Sequence, residues 1–210
     1  MNIIFEGISG AGKTTIIEAL LKEIEDQDVT YIPDLEYETP LKEILLKLVT
    51  NNLFMESEVN FRTSIFESLL LAANHHYTQE KLRNNPGITI YDRDFISVLA
   101  MQKEIIKLEY DDWEKFYKNF REIMLFSLKQ IDHIVYVETP IDICVQRVEQ
   151  RDNRHLNLDD ITMLKQINNN MKMECSQLSS KYDFDIITVN GNHDVGENVN
   201  LIKKKVLVKR

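Results

Sequence analysis

Nine residues near the start of the chain bring together groups suited to holding phosphate: Gly7, Ile8, Ser9, Gly10, Ala11, Gly12, Lys13, Thr14 and Thr15. The first eight fit the spacing G-x-x-x-x-G-K-[ST]. Glycines let the backbone curl tightly, with bare N–H groups turned toward an anion. The first turn of a following helix adds its free N–H groups and its positive end. Lys13 can reach β- and γ-phosphates, and Thr14 can place a hydroxyl on Mg²⁺. The motif needs a strand before it and a helix after it. Ile3, Ile4 and Phe5 supply the strand; Ile16, Ile17, Leu20 and Leu21, at helical spacing, supply the helix.

Two further sets belong to the same chemistry. Asp92 and Arg93 follow the apolar run Ile88–Tyr91. A carboxylate at the end of such a strand, in a phosphate-loop protein, assists Mg²⁺ directly or through water. The planar fork of Arg93 suits the oxygens of an acceptor phosphate. Arg147, Arg151 and Arg154 follow one another at spacings of four and three, so a continuous helix carries them on one face. Like charges so placed repel unless an anion joins them. A γ-phosphate in transit would do so, and an arginine-rich lid at residues 147–157 could then supply the transition-state charge in cis.

Bulk properties narrow the classes. A chain of 210 residues supports one sizeable core, so a single domain over 1–210 is expected. The net charge of −9 argues against a broad nucleic-acid surface, and leaves phosphate to a few placed cations. No apolar run reaches the length of a membrane span, and the chain opens directly on a strand, with no leader expected. Cys144 and Cys175 have no metal spacing and read as buried thiols; a reducing, cytoplasmic setting follows. Adjacent His75 and His76 point about 100° apart on a helix and cannot form a zinc pair. His76 is expected to pack on the apolar side.

The elements that must position these groups alternate. Strands are read at 2–6, 29–33, 88–91, 132–138 and 184–189. Helices are read over Thr14–Asp26, from Thr39-Pro40 through Val49, over Asn60–Leu82 and over Phe95–Leu108. A further helix, capped by Asp111 or Asp112, carries Trp113, Phe116, Phe120, Ile123 and Ile131 on a core stripe. Pro140–Gln150 starts from a Thr139 cap with Asp142 in its first turn; another helix starts at Asn157 or Asp159. His193–Lys204 is the last helix, followed by a short strand at Val206–Val208. Short apolar strands suit a sheet covered on both faces. The expected fold is a three-layer α/β/α sandwich with a mostly parallel five-stranded sheet.

Within phosphate-loop proteins, a GTPase would show Asn-Lys-x-Asp, which the chain lacks. A motor or transport ATPase would show larger coupling elements. A small chain with a late arginine-rich segment favours a kinase of a small molecule.

The chain resembles thymidylate kinases, within the wider group of nucleoside-monophosphate and deoxynucleoside kinases. Phe5–Thr15 is similar to that family's phosphate loop. Asp92–Gln102 (DRDFISVLAMQ) follows its D-R-Y-x-x-S-x-x-A-Y-Q pattern at Asp, Arg, Ser, Ala and Gln. Val135–Arg151 is similar to its strand, helix and lid start. The resemblance implies ATP and Mg²⁺ on Gly7, Ser9–Thr15 and Asp92, and an acceptor phosphate on Arg93. It implies Arg147, Arg151 and Arg154 closing over the donor, Ser97 and Gln102 facing the acceptor nucleoside, and a homodimer through the long helices.

The departures fall on the acceptor side. Ser9 stands where the family often carries an Asp that contacts the acceptor sugar. Asp34–Glu38 has neither the Arg nor the Gly of the family's R-E-P-G-G segment. Leu71 replaces a stacking Phe, and His75 replaces a base-reading Arg. Three readings stay open. One is a monophosphate kinase. Another is a kinase of nucleosides or other hydroxyl acceptors, with Glu36 or Glu38 as base: an acidic loop suits an uncharged hydroxyl better than a dianionic phosphate, because like charges repel. The third is a nucleotide-binding regulatory protein.

Overall fold

The computed structural model describes residues 1–34, 39–49, 64–182 and 185–207. Five parallel strands form one sheet: β1 (Asn2–Glu6), β2 (Val29–Ile32), β3 (Ile88–Asp92), β4 (His133–Glu138) and β5 (Ile186–Asn190). Their order is β2-β3-β1-β4-β5. The central strand carries the apolar run that burial on both faces requires: Ile3, Ile4 and Phe5 are buried.

Eight α-helices cover the sheet among the described residues: α1 (Lys13–Glu23), α2 (Lys42–Val49), α3 (Ser64–Leu82), α4 (Phe95–Glu109), α5 (Trp113–Met124), α6 (Ile141–Asp152), α7 (Leu158–Tyr182) and α8 (Val195–Val206). Parallel connections are right-handed. The step from β1 to β2 runs one way along the sheet, and every later step runs the other way. So α1 lies on one face, where α8 packs against it, and α4 lies on the other with α3, α5 and α7. The exits of β1 and β3 therefore diverge to opposite faces. That divergence opens a crevice at their carboxyl ends, where open α/β sheets bind ligands.

Local details differ from the sequence reading where tertiary partners compete. The helix expected through Ile131 ends at Met124 and continues as a 3₁₀ segment, Leu125–Gln130. The stripe turns with it: Tyr117, Phe120 and Met124 are buried, while Ile123 is exposed. Asp112 occupies the cap position of α5 but makes no side-chain cap. Thr139 does not cap α6. Its hydroxyl donates instead to the Ala11 carbonyl at 2.8 Å, and α6 begins after Pro140 with Ile141. Asn157 does cap α7: its Oδ1 accepts from the Asp160 N–H at 2.8 Å, and Asp160 accepts from the Asn157 N–H at 3.2 Å. Asp194 caps α8 through the Glu197 N–H. Val206 ends that helix rather than starting a strand; Val208 lies outside the described residues, as does the weak segment 51–60. His76 is half-buried, its ring packed edge-on against Phe126 as expected and its Nε2 anchored against the Ile123 carbonyl at 2.9 Å. Cys144 and Cys175 are buried free thiols. No described helix is long and apolar enough to cross a membrane.

Candidate active site

The phosphate loop runs from Gly7 to Gly12 and hands its chain to α1 at Lys13. Gly10 is in the left-handed region at φ 80°, and a Cβ on it would stand 2.4 Å from the Cys144 carbonyl. No side chain fits there, so α6 backs the loop directly. A second contact comes from the turn after β5. A Cβ on Gly191 would lie 1.9 Å from the Ala11 carbonyl. Arg147 ties the two turns together, its NH1 donating to the carbonyls of Gly10 at 3.2 Å and Gly191 at 3.1 Å.

A cavity of about 360 Å³ opens over this loop. Ser9, Gly10, Gly12, Lys13, Thr14 and Thr15 line it from the loop side; Asp34, Asp92, Arg93, Arg147 and Arg151 line it from the other strands and from α6. The three sets singled out in the sequence thus meet at one place, apart from Arg154. Lys13 is buried, and its pKa falls to about 8. Desolvation is the main cause; Arg93 adds to it, and Asp92 opposes it. Asp92 accepts from the Thr14 hydroxyl at 3.1 Å through Oδ2. Its Oδ1 is buried without a hydrogen-bond partner among the described residues. A bare carboxylate oxygen beside a threonine hydroxyl is a donor set that suits a hard divalent cation such as Mg²⁺. Burial and Asp92 push the Tyr31 hydroxyl up to about 12, so it stays neutral beside that carboxylate.

Arg93 is held from several sides. Its backbone is left-handed at φ 71°, which costs a non-glycine residue about 1 kcal/mol. The Arg93 N–H donates to the Phe5 carbonyl at 2.9 Å, and NH1 donates to the Gly7 carbonyl at 2.8 Å and to Ser97 Oγ at 3.2 Å. Nε pairs with Asp34 at 3.1 Å. Asp34 begins the acidic segment and is on the cavity wall; Glu36 and Glu38, the candidate bases, lie outside the described residues.

Other expected site residues sit differently. α6 ends at Asp152, and Asn153 turns left-handed at φ 48°. Arg154 therefore leaves the helical face of Arg147 and Arg151, and reaches Asp160 at 3.5 Å. Arg151 stays on the cavity wall and pairs with Asp152 at 2.7 Å. The resemblance puts Ser97 and Gln102 on the acceptor, yet both side chains turn inward. Ser97 Oγ donates to Glu6. Gln102 donates to Glu67 at 2.9 Å and accepts from the Ser68 hydroxyl at 2.8 Å. Leu71 is buried, and His75 is buried with its ring against Asp94, which also accepts from Gln79 at 3.0 Å.

Three contributors carry little sequence signal. Asp34 reads as part of its acidic loop, yet lines the cavity. Gly191 has only the form of a turn residue, yet packs on the phosphate loop. Glu6 reads as a strand end, although a charged residue closing an apolar strand is itself a signal. It is fully buried, and desolvation pushes its carboxyl up to about 8.

The thymidylate kinase family model matches residues 5–202. A probable thymidylate kinase of Methanobrevibacter smithii is 31% identical over 173 residues, covering 80% of this chain and 82% of that protein. In fold, a deoxyadenosine kinase from M. mycoides, solved with dCMP and dCDP bound, superposes with a TM-score of 0.67 at 19% identity, over 99% of this chain and 100% of that one. A thymidylate kinase from Candida albicans gives 0.67 at 14% identity, over 99% and 91%. The chain belongs to the thymidylate kinase family, and is a phosphotransferase that acts on a nucleoside monophosphate.

Proposed function

We propose that the chain transfers the γ-phosphoryl group of ATP to a nucleoside monophosphate whose phosphate rests on Arg93. The observation that carries this reading is the cavity in which Lys13, Thr14, Asp92, Arg93, Arg147 and Arg151 converge. The loop N–H groups and Lys13 hold the donor phosphates. Thr14 and Asp92 would hold Mg²⁺, which would supply neutralisation of phosphate charge. Arg93 stands on the cavity wall beside Gly7, the first residue of the loop, where it would hold an acceptor phosphate. Arg151 is exposed on one side and free to swing from Asp152 onto the transferring group, as a lid within 147–157. Arg147, spent on two carbonyls, acts first as a strut of the loop.

The acceptor base faces the α3–α4 side in this reading, where Leu71 and His75 replace the family's stacking and reading residues. A single fold domain, a cytoplasmic setting and a pair of chains joined through the long helices belong to the same reading. It is tested with ATP–Mg and a panel of nucleosides and their monophosphates, thymidylate included. The reading requires diphosphate products; phosphorylation of nucleosides alone would refute it.

A further inference from the structure

We infer that Glu6 is a positioning residue for the acceptor phosphate, acting through Arg93. This rests on the reading above, in which Arg93 receives that phosphate. Glu6 ends β1 and is wholly buried, so it can touch no substrate. Its Oε1 accepts from the backbone N–H groups of Asp94 at 3.1 Å, Ile96 at 3.2 Å and Ser97 at 3.2 Å. Its Oε2 takes the Ser97 hydroxyl.

These donors are the open end of α4. Asp94 occupies the cap position of that helix but makes no side-chain cap, its carboxylate being engaged by His75 and Gln79. A carboxyl from the central strand caps the helix instead. The consequence reaches Arg93, which lies between Asp92 of β3 and the start of α4. Phe5 takes its N–H, Gly7 takes its NH1, and Ser97, clamped by Glu6, takes NH1 as well. Three consecutive residues of β1 and the loop thus fix the left-handed turn that aims the guanidinium. Glu6 supplies the anchor that holds the far side of that turn. With it, the helix start and Arg93 move as one body with the phosphate loop.

The test compares Glu6→Leu, Glu6→Gln and Ser97→Ala, each assayed for ATP affinity and for KM and kcat with the acceptor monophosphate. Glutamine keeps a carbonyl for the three N–H groups and an amide donor for Ser97. Leucine keeps bulk and offers nothing. The expected result is an acceptor KM raised about tenfold or more in Glu6→Leu, the scale of one lost hydrogen bond between Arg93 and the charged acceptor phosphate. ATP affinity stays within about twofold, and Glu6→Gln returns near the parent value. Glu6→Leu with an unchanged acceptor KM, equal losses of ATP and acceptor binding, or Glu6→Gln as impaired as Glu6→Leu would overturn it. If Glu6→Leu does not fold, Ser97→Ala decides: a raised acceptor KM supports the inference, and an unchanged one overturns it. Arg93→Ala separates the two claims. A raised acceptor KM there with none in Glu6→Leu removes Glu6's part alone; no rise in either removes the role of Arg93 beneath it.

Discussion

Lys13 Nζ stops 3.9 Å short of Asp92 Oδ1, beyond hydrogen-bond reach, although both groups are buried. The other oxygen of Asp92 holds Thr14. Cation and carboxylate thus flank a gap that neither fills. A phosphate oxygen on one side and a divalent ion on the other would complete both. Asp92→Asn should therefore raise the Mg²⁺ concentration needed for half-maximal turnover and cut turnover by about 10²-fold. A Mg²⁺ titration of activity reads both; an unaltered curve would remove Asp92 from the metal site.

Lys13 should take up a proton when a triphosphate binds. In the free protein its pKa is lowered to about 8, against an ordinary 10.5. A depressed lysine costs stability once the unfolded chain's lysine is charged, so stability falls as pH drops from 10.5 to about 8 and is level below that. Phosphate reverses the balance by favouring the charged form. At pH 8.5, calorimetry in two buffers of different ionisation heat should show uptake of more than about half a proton per ATP bound. No difference between buffers would contradict the assigned contact.

Asp34 competes with the acceptor for Arg93. Its carboxylate holds Nε at 3.1 Å and stands on the cavity wall. Asp34→Asn should lower the acceptor KM several-fold at low salt, since one like charge leaves the path of a dianion. Steady-state kinetics decide it. A collapse of turnover instead would make Asp34 a proton acceptor, and so favour a hydroxyl substrate.

Arg151 and Arg154 should separate cleanly. Arg151→Ala is expected to lower turnover about 10²-fold with ATP affinity nearly unchanged. Arg154→Ala, whose parent side chain reaches Asp160 outside the cavity, should alter turnover by less than about threefold. Equal losses would mean that both arginines reach the donor when the lid closes.

Gly191→Ala tests the contact between the last strand and the phosphate loop. Its Cβ would meet the Ala11 carbonyl at 1.9 Å and Thr139 Oγ1 at 2.4 Å. Backbone must move, costing about 1–3 kcal/mol of stability. ATP affinity should drop with it, by tenfold or more on the order of that strain. Thermal unfolding and nucleotide titration check the pair of effects, and normal ATP affinity would show that the loop does not depend on this contact.

Much of the fold was written in local signals. The five strands are short apolar runs followed by turn or helix signals, so their positions and type could be read, with boundaries shifted by one or two residues at Ile186–Asn190 and His133–Glu138, while their order across the sheet could not. Lys13, Thr14, Asp92 and Arg93 were legible because strand ends in a parallel sheet face one crevice. What stayed hidden depends on partners distant in sequence. Thr139 has the form of a cap, but Ala11 offered its hydroxyl a better acceptor. Ser97 and Gln102 match a pattern of residue types, which carries no direction; Glu6 and Glu67 draw them inward. Arg154 has helical spacing from Arg151, but Asn153 breaks the helix between them.

The central claim is that a monophosphate on Arg93 receives the phosphoryl group. The most direct measurement is product identity by phosphorus NMR, with ATP–Mg and equal amounts of a nucleoside and its monophosphate, for the parent chain and Arg93→Ala. The parent chain should convert the monophosphate to the diphosphate and leave the nucleoside untouched, while Arg93→Ala loses most of that conversion. Monophosphate formed from nucleoside, with no diphosphate, or full diphosphate formation in Arg93→Ala, would contradict it.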